Sequence, residues 1–221
     1  MFLTTMTARL VLVLMALALP GIVRAGWQDM PDTVQLQAMG DTLQVNGTPM
    51  QVRAFASRLA LDALLQDVET RWRRSPGEVK RSVNSAWTVL NQTVGAQHRS
   101  FQVRQASAST IEGFVALTSP SATREPKLAV RLPPDMTPVS IIDSVDQGRA
   151  SQQVIAVSKR SMTATAASLE ASLKASGWER HRFKAEPTGI VFAANKGKQQ
   201  FDATLTAQPN GSIVMMNTLL N

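Results

Sequence analysis

Two stretches of the chain repeat apolar residues at helical spacing. In residues 161–178, Met162, Ala166, Leu169 and Leu173 fall at i, i+4, i+7 and i+11, on one face of a 3.6-residue helix. Thr165, Ser168, Glu170, Ser172 and Lys174 lie between them and suit solvent. Ser161 stands where an N-cap hydroxyl accepts a first-turn amide. Gly177 stands where a left-handed residue ends a helix, and Trp178 follows. In residues 57–72, Leu61, Leu64, Leu65, Val68 and Trp72 follow i, i+3, i+4, i+7 and i+11, and this helix also ends in tryptophan.

Around these helices the pattern changes to strands. An apolar run precedes each one, residues 50–56 and 153–157. Gly47 lies ten residues before Ser57, and Gly148 ten before Ser158. After the first helix come 101–104 and 110–117; after the second come 201–205 and 210–216. Tight turns at Asn46-Gly47, Gly95, Gly197 and Asn210-Gly211 favour hairpins, because such turns need positive φ. Hairpins imply antiparallel sheet and disfavour a doubly wound nucleotide fold. The chain therefore reads as α+β: two related strand–helix–strands units, each an antiparallel sheet packed by one main helix, forming a pseudo-symmetric pair. Five prolines in residues 118–138 mark a linker, and residues 127–132 read as a short edge strand within it. The boundary falls near Arg124, giving units at 26–124 and 125–221.

The first 25 residues read as a secretory signal peptide. Arg9 supplies positive charge, residues 10–19 are uninterruptedly apolar, and Val23-Arg-Ala25 offers small residues at the cleavage site. The apolar run is too short to cross about 30 Å of hydrocarbon. The expected product is exported to a periplasm and is not an integral membrane protein. Cysteine is absent, which removes a lipid-anchoring cysteine, disulfides and thiol nucleophiles. Asn46-Gly-Thr, Asn91-Gln-Thr and Asn210-Gly-Ser match the glycosylation triplet but read as turn and strand chemistry in that setting.

The whole chain carries 23 basic and 16 acidic residues, a net of +7; loss of Arg9 and Arg24 with the leader lowers this to +5. The densest basic cluster is Arg71, Trp72, Arg73, Arg74, Lys80 and Arg81. Cations at a helix C-terminus suit its dipole, which explains much of it. The same residues form the candidate partner surface, for an envelope protein or an anionic envelope surface, with no nucleic acid expected. Trp72 is expected in the core; an exposed Trp72 would instead anchor a partner.

Catalytic chemistry finds little support. His98 and His181 are the only histidines, and both read as surface residues. Zinc sites need about four nitrogen or sulfur ligands, so no metal is expected. No GxSxG, SxxK, GxxxxGK[ST] or GxGxxG motif occurs, and no cofactor is implied. Asp62, Asp67 and Glu69 share one helix without forming an acid pair. These features point to an exported, non-catalytic binding or assembly protein, accessory to an envelope machine. Two alternatives stay open: a carrier of a small apolar or anionic ligand held between the units, and a hydrolase or transferase whose carboxylates meet only in the fold.

Overall fold

The computed structural model describes residues 26–220. The expected signal peptide lies outside the described residues. After a 3-10 turn at Trp27–Asp29 the chain forms β1 (Gln37–Ala38), β2 (Thr42–Val45), β3 (Thr48–Ser57), α1 (Leu61–Trp72), β4 (Lys80–Asn84), β5 (Trp87–Val94), β6 (Gln97–Ser107) and β7 (Thr110–Thr118). A second 3-10 turn, Pro120–Ala122, leads to β8 (Met136–Asp146), β9 (Arg149–Ser158), α2 (Met162–Ala175), β10 (Glu179–Glu186), β11 (Gly189–Lys196), β12 (Gln199–Gln208) and β13 (Gly211–Leu220).

The expected fold class is overturned. Strand makes up 55% of the structure and helix 16%, so the molecule is mostly β. All thirteen strands among the described residues belong to one antiparallel sheet, ordered β10-β11-β12-β13-β9-β8-β2-β3-β7-β6-β5-β4, with β1 beside β3. The expectation of an α+β pair with a sheet in each unit fails at the β2–β8 pairing. There Leu43 faces Ser144 and Val45 faces Ile142, so the ladder runs on without a break. Nothing in the periodicity marked residues 42–45 as a strand with two partners. The expected edge strand at 127–132 is also absent, and that stretch is irregular. It is tied down instead by Gln152, whose Oε1 accepts from the Ala129 amide at 2.8 Å and whose Nε2 donates to the Lys127 carbonyl at 2.8 Å.

Turn chemistry sets the registers. Asn46 and Gly47 have φ of 49° and 75°, and Gln147 and Gly148 have 50° and 77°. Two successive positive φ values match the right-handed twist of a tight hairpin. Gly47 has a second duty: a Cβ there would lie 1.6 Å from the Arg124 carbonyl oxygen. Read outward from the β2–β8 pair, the order is β3-β7-β6-β5-β4 on one side and β9-β13-β12-β11-β10 on the other.

Both helices lie on the same face of this sheet. Pairing partners share a face, and residues two apart along a strand share it too. Arg53, Val115, Phe101 and Leu90 form one cross-strand row; Val154, Met216, Ala203 and Phe192 form another. The pairs Pro49–Gln44, Gln44–Asp143 and Asp143–Gln152 connect the two rows on one side. Leu64, Leu65, Val68 and Trp72 of α1 pack against the first half of that side, with Phe55, Phe101 and Ile111. Ala166, Leu169 and Leu173 of α2 pack against the second half, with Phe192, Phe201 and Val214. Gly113 leaves room for Phe55 to stack on Phe101 at 5.3 Å, since a Cβ there would stand 2.7 Å from the Phe55 ring. Helix α2 starts where its sequence suggests, with Ser161 Oγ accepting from the Ala164 amide. Helix α1 starts at Leu61 rather than at Ser57, which closes β3 and accepts from the Leu59 amide.

Candidate functional site

The basic cluster singled out in the sequence does not form one surface. Trp72 is only 1% exposed and belongs to the core under α1. Arg71 Nε donates to Asp67 Oδ1 at 2.9 Å and Arg73 Nη2 to Glu69 Oε1 at 2.6 Å, both one turn back along α1. Lys80 lies 3.8 Å from Glu78. Arg74 and Arg81 are exposed and make no ion pair among the described residues. Arg81 pairs with Leu90 and so stands on the helix side of the edge strand β4, while Lys80 stands on the other side. Exposed pairs such as these contribute about 0–1 kcal/mol each, so the cluster is mostly neutralised within its own helix and loop.

Beneath it lies a buried polar cluster whose partners are scattered along the sequence. Arg99 is 1% exposed and Gln92 2%. Arg99 forms an ion pair with Asp29 of the N-terminal 3-10 turn, and its guanidinium carbon sits 4.4 Å from the centre of the Trp72 ring. Its Nε donates to Gln92 Oε1 at 2.9 Å. Gln92 Nε2 then donates to the Trp72 carbonyl at 3.1 Å and the Gly77 carbonyl at 2.7 Å. One amide thus serves the C-terminus of α1 and the loop beyond it, where helix carbonyls lack internal partners. Burial draws the Arg99 pKa below its usual value, and the Asp29 hydrogen bond and charge oppose that. An arginine stays protonated through such a shift. The cluster clamps the N-terminal segment and the end of α1 to the sheet; its members reach no open cleft.

No other arrangement among the described residues brings acid–base or metal chemistry together. No group of three or more His, Cys, Asp or Glu side chains converges. The buried polar residues are Thr88, Gln92, Arg99, Gln152, Ser158, Thr165, Ser212 and Thr218, with no carboxylate among them. His98 is half-buried, 3.2 Å from Thr93 Oγ1, and His181 is exposed on β10. A cleft of about 260 Å³ runs between the end of α2 and β10–β11, lined by Leu173, Trp178 and Phe192 with the Glu170–Arg180 pair across it. Two clefts of about 220 and 240 Å³ flank β2 and β3. These three are below the roughly 300–1,000 Å³ typical of small-molecule sites, whereas a cleft of about 450 Å³ beside the end of β9, lined by Lys159 and the Asp135–Arg160 ion pair, falls within it. No described helix is long and apolar enough to cross a membrane.

The feature that stands apart is the side of the sheet without helices. An antiparallel sheet with a solvated face alternates apolar inward and polar outward. Here many outward positions of the central strands are also apolar or small, interrupted by the hydrogen-bonded Gln153–Asn217 pair and by Asp146 and Arg149 at a hairpin tip. Leu43, Val45, Met50, Val52 and Ala54 face outward from β2 and β3, and Ile142 from β8. Ile155 and Val157 of β9 pair with Met215 and Ile213 of β13 on that same side. Val157 is 38% exposed and Met215 44%. Farther out, Trp87 and Phe114 contact one another at 5.4 Å, and Arg104 lies over Trp87 at 4.8 Å while pairing with Glu112. The sequence carries a signal for this face: residues 154–157 and 213–216 are unbroken apolar runs, as in strands covered on both sides. Periodicity alone does not say what covers the second side.

No protein-family model, no curated protein and no solved structure matches this chain.

Proposed function

We propose that this chain is an exported, non-catalytic binding or assembly protein of the cell envelope, and that its working surface is the open face of the sheet. The observation that carries the reading is the run of half-exposed apolar side chains on the side opposite the helices. Contiguous apolar surface of this kind marks interaction sites in soluble proteins. The basic cluster supports the reading less, because its tryptophan is buried and three of its cations already hold carboxylates. The signal-like leader supports the envelope as the compartment.

Affinity capture from envelope extract tests the reading. The exported protein carrying a C-terminal tag is compared with variants Ile155→Asp and Val52→Asp, which charge the open face, and Arg74→Ser with Arg81→Ser, which removes the exposed cations. Loss of captured material in the open-face variants alone is the expected result. Loss in the arginine variant alone moves the working surface to the basic cluster, and equal capture by all variants defeats the proposal.

A further inference from the structure

The open face is distinguished by where its charges stop. Charged residues make up 18% of the chain. The five central strands, β13, β9, β8, β2 and β3, carry roughly twenty outward positions by alternation along each strand. About three or four charges are expected there by composition. Only Asp146 and Arg149 occur, and they face each other at the tip of the β8–β9 hairpin. Farther out the face becomes charged, with Asp202 on β12 and the Arg104–Glu112 pair on β6–β7. An uncharged centre inside a charged rim is the composition of a protein–protein contact.

The size fits such a contact. Each outward position covers about 33 Å² of sheet, from about 4.8 Å between strands and twice 3.4 Å along them. Roughly twenty positions give about 650 Å² before side-chain relief is counted. A stable interface buries about 800 Å² per partner. The neutral centre offers no charge for a differently charged partner to match, whereas two neutral faces meet without stranding a charge. The strand order also reads the same from both ends of the sheet, with the β2–β8 pair at its midpoint. A two-fold contact needs only the same patch on both copies, and a patch whose charges stop at its rim meets its own copy without opposing like charges.

We propose that the open face binds the same face of a second copy of this chain. The two sheets pack back to back about 10 Å apart, and the helices α1 and α2 stand outside. The inference rests on the same surface as the functional reading and names its partner.

Sedimentation equilibrium of the exported protein between 1 and 100 µM tests it. The expected result is a dimer whose dissociation weakens at least about 100-fold in Val157→Glu and in Met215→Glu, because each would bury an unpaired carboxylate at the contact. Val83→Glu, on the 69% exposed position of the edge strand β4, should leave the dimer unchanged. The chain has no cysteine, so Ile142→Cys near the centre of the face gives a cross-link between copies alone. Unaltered circular dichroism keeps the variants interpretable. A monomer at 100 µM overturns the proposal, as does a dimer that survives both glutamates. A monomer that floats with phosphatidylglycerol vesicles through this face assigns it to lipid and also overturns it. A monomer whose open-face variants lose an envelope partner overturns the dimer while leaving the functional reading standing.

Discussion

Gln92→Leu removes the side chain that joins three parts of the fold, and its cost can be worked from its contacts. The replacement keeps the side chain's apolar stem against the core but offers no donor or acceptor. The Gly77 carbonyl sits in an exposed turn and recovers a partner from water. The Trp72 carbonyl keeps the Ser75 amide at 3.0 Å and the Arg99 Nη2 contact at 3.3 Å. Arg99 loses the acceptor that takes both its Nε and its Nη2. A buried group left without its partner costs about 1–3 kcal/mol, and more when charged. The arginine dominates, and the total is about 3 kcal/mol. For a chain of this size that lowers the melting temperature by about 6–12 °C. Arg99→Met should cost a similar amount, at the low end for a broken buried pair, because Asp29 is 26% exposed and rehydrates. The two losses overlap. The double variant should cost about 3–4 kcal/mol instead of about 6, a coupling of about 2 kcal/mol or more. Chemical denaturation of all four proteins gives the cycle. Single costs that add to within about 0.5 kcal/mol would show that the two side chains act separately, and the clamp argument would fail.

Two further outcomes follow from burial. Trp72→Ala should destabilise by about 3–5 kcal/mol, since the ring is fully enclosed and carries Arg99 on one face, whereas Arg74→Ser should stay within about 0.5 kcal/mol; denaturation midpoints decide. Leu169→Ala should cost about 2–5 kcal/mol, because the leucine is 0% exposed between α2 and the sheet, while Lys174→Ala on the exposed side should cost no more than about 0.5 kcal/mol. Equal midpoints for the last pair would mean that the packed face of α2 is misassigned.

The sequence by itself determined the elements whose signals are local. Leu64, Leu65, Val68 and Trp72, and likewise Ala166, Leu169 and Leu173, carry helical spacing and are buried, but Thr165, which the spacing assigns to solvent, is buried as well, with its hydroxyl against Ser212. Asn46-Gly47 carries its turn in its own φ preference, and Ser161 its cap in its own hydroxyl. The unbroken run at 213–216 indicated a buried strand; β13 does lie there with Val214 and Met216 buried, but Met215 on its other side is 44% exposed. The tertiary structure alone decided how the strands join. β2 is four residues long, and its register with β8 rests on residues about a hundred positions away, including Asn46 Oδ1 accepting from the Ile141 amide. No local pattern encodes such a pairing, so two sheets were expected where there is one. β4 and β10 are exposed at every residue and show no apolar alternation, since an edge strand needs only backbone partners on one side. The buried cluster was equally illegible, because Asp29, Trp72, Gln92 and Arg99 acquire their meaning only when the sheet brings them together. In the same way the charged stretch around Arg71 looked like a site in one dimension. In three dimensions its tryptophan turns inward, Lys80 and Arg81 fall on opposite sides of a strand, and the surface left uncovered is the neutral one.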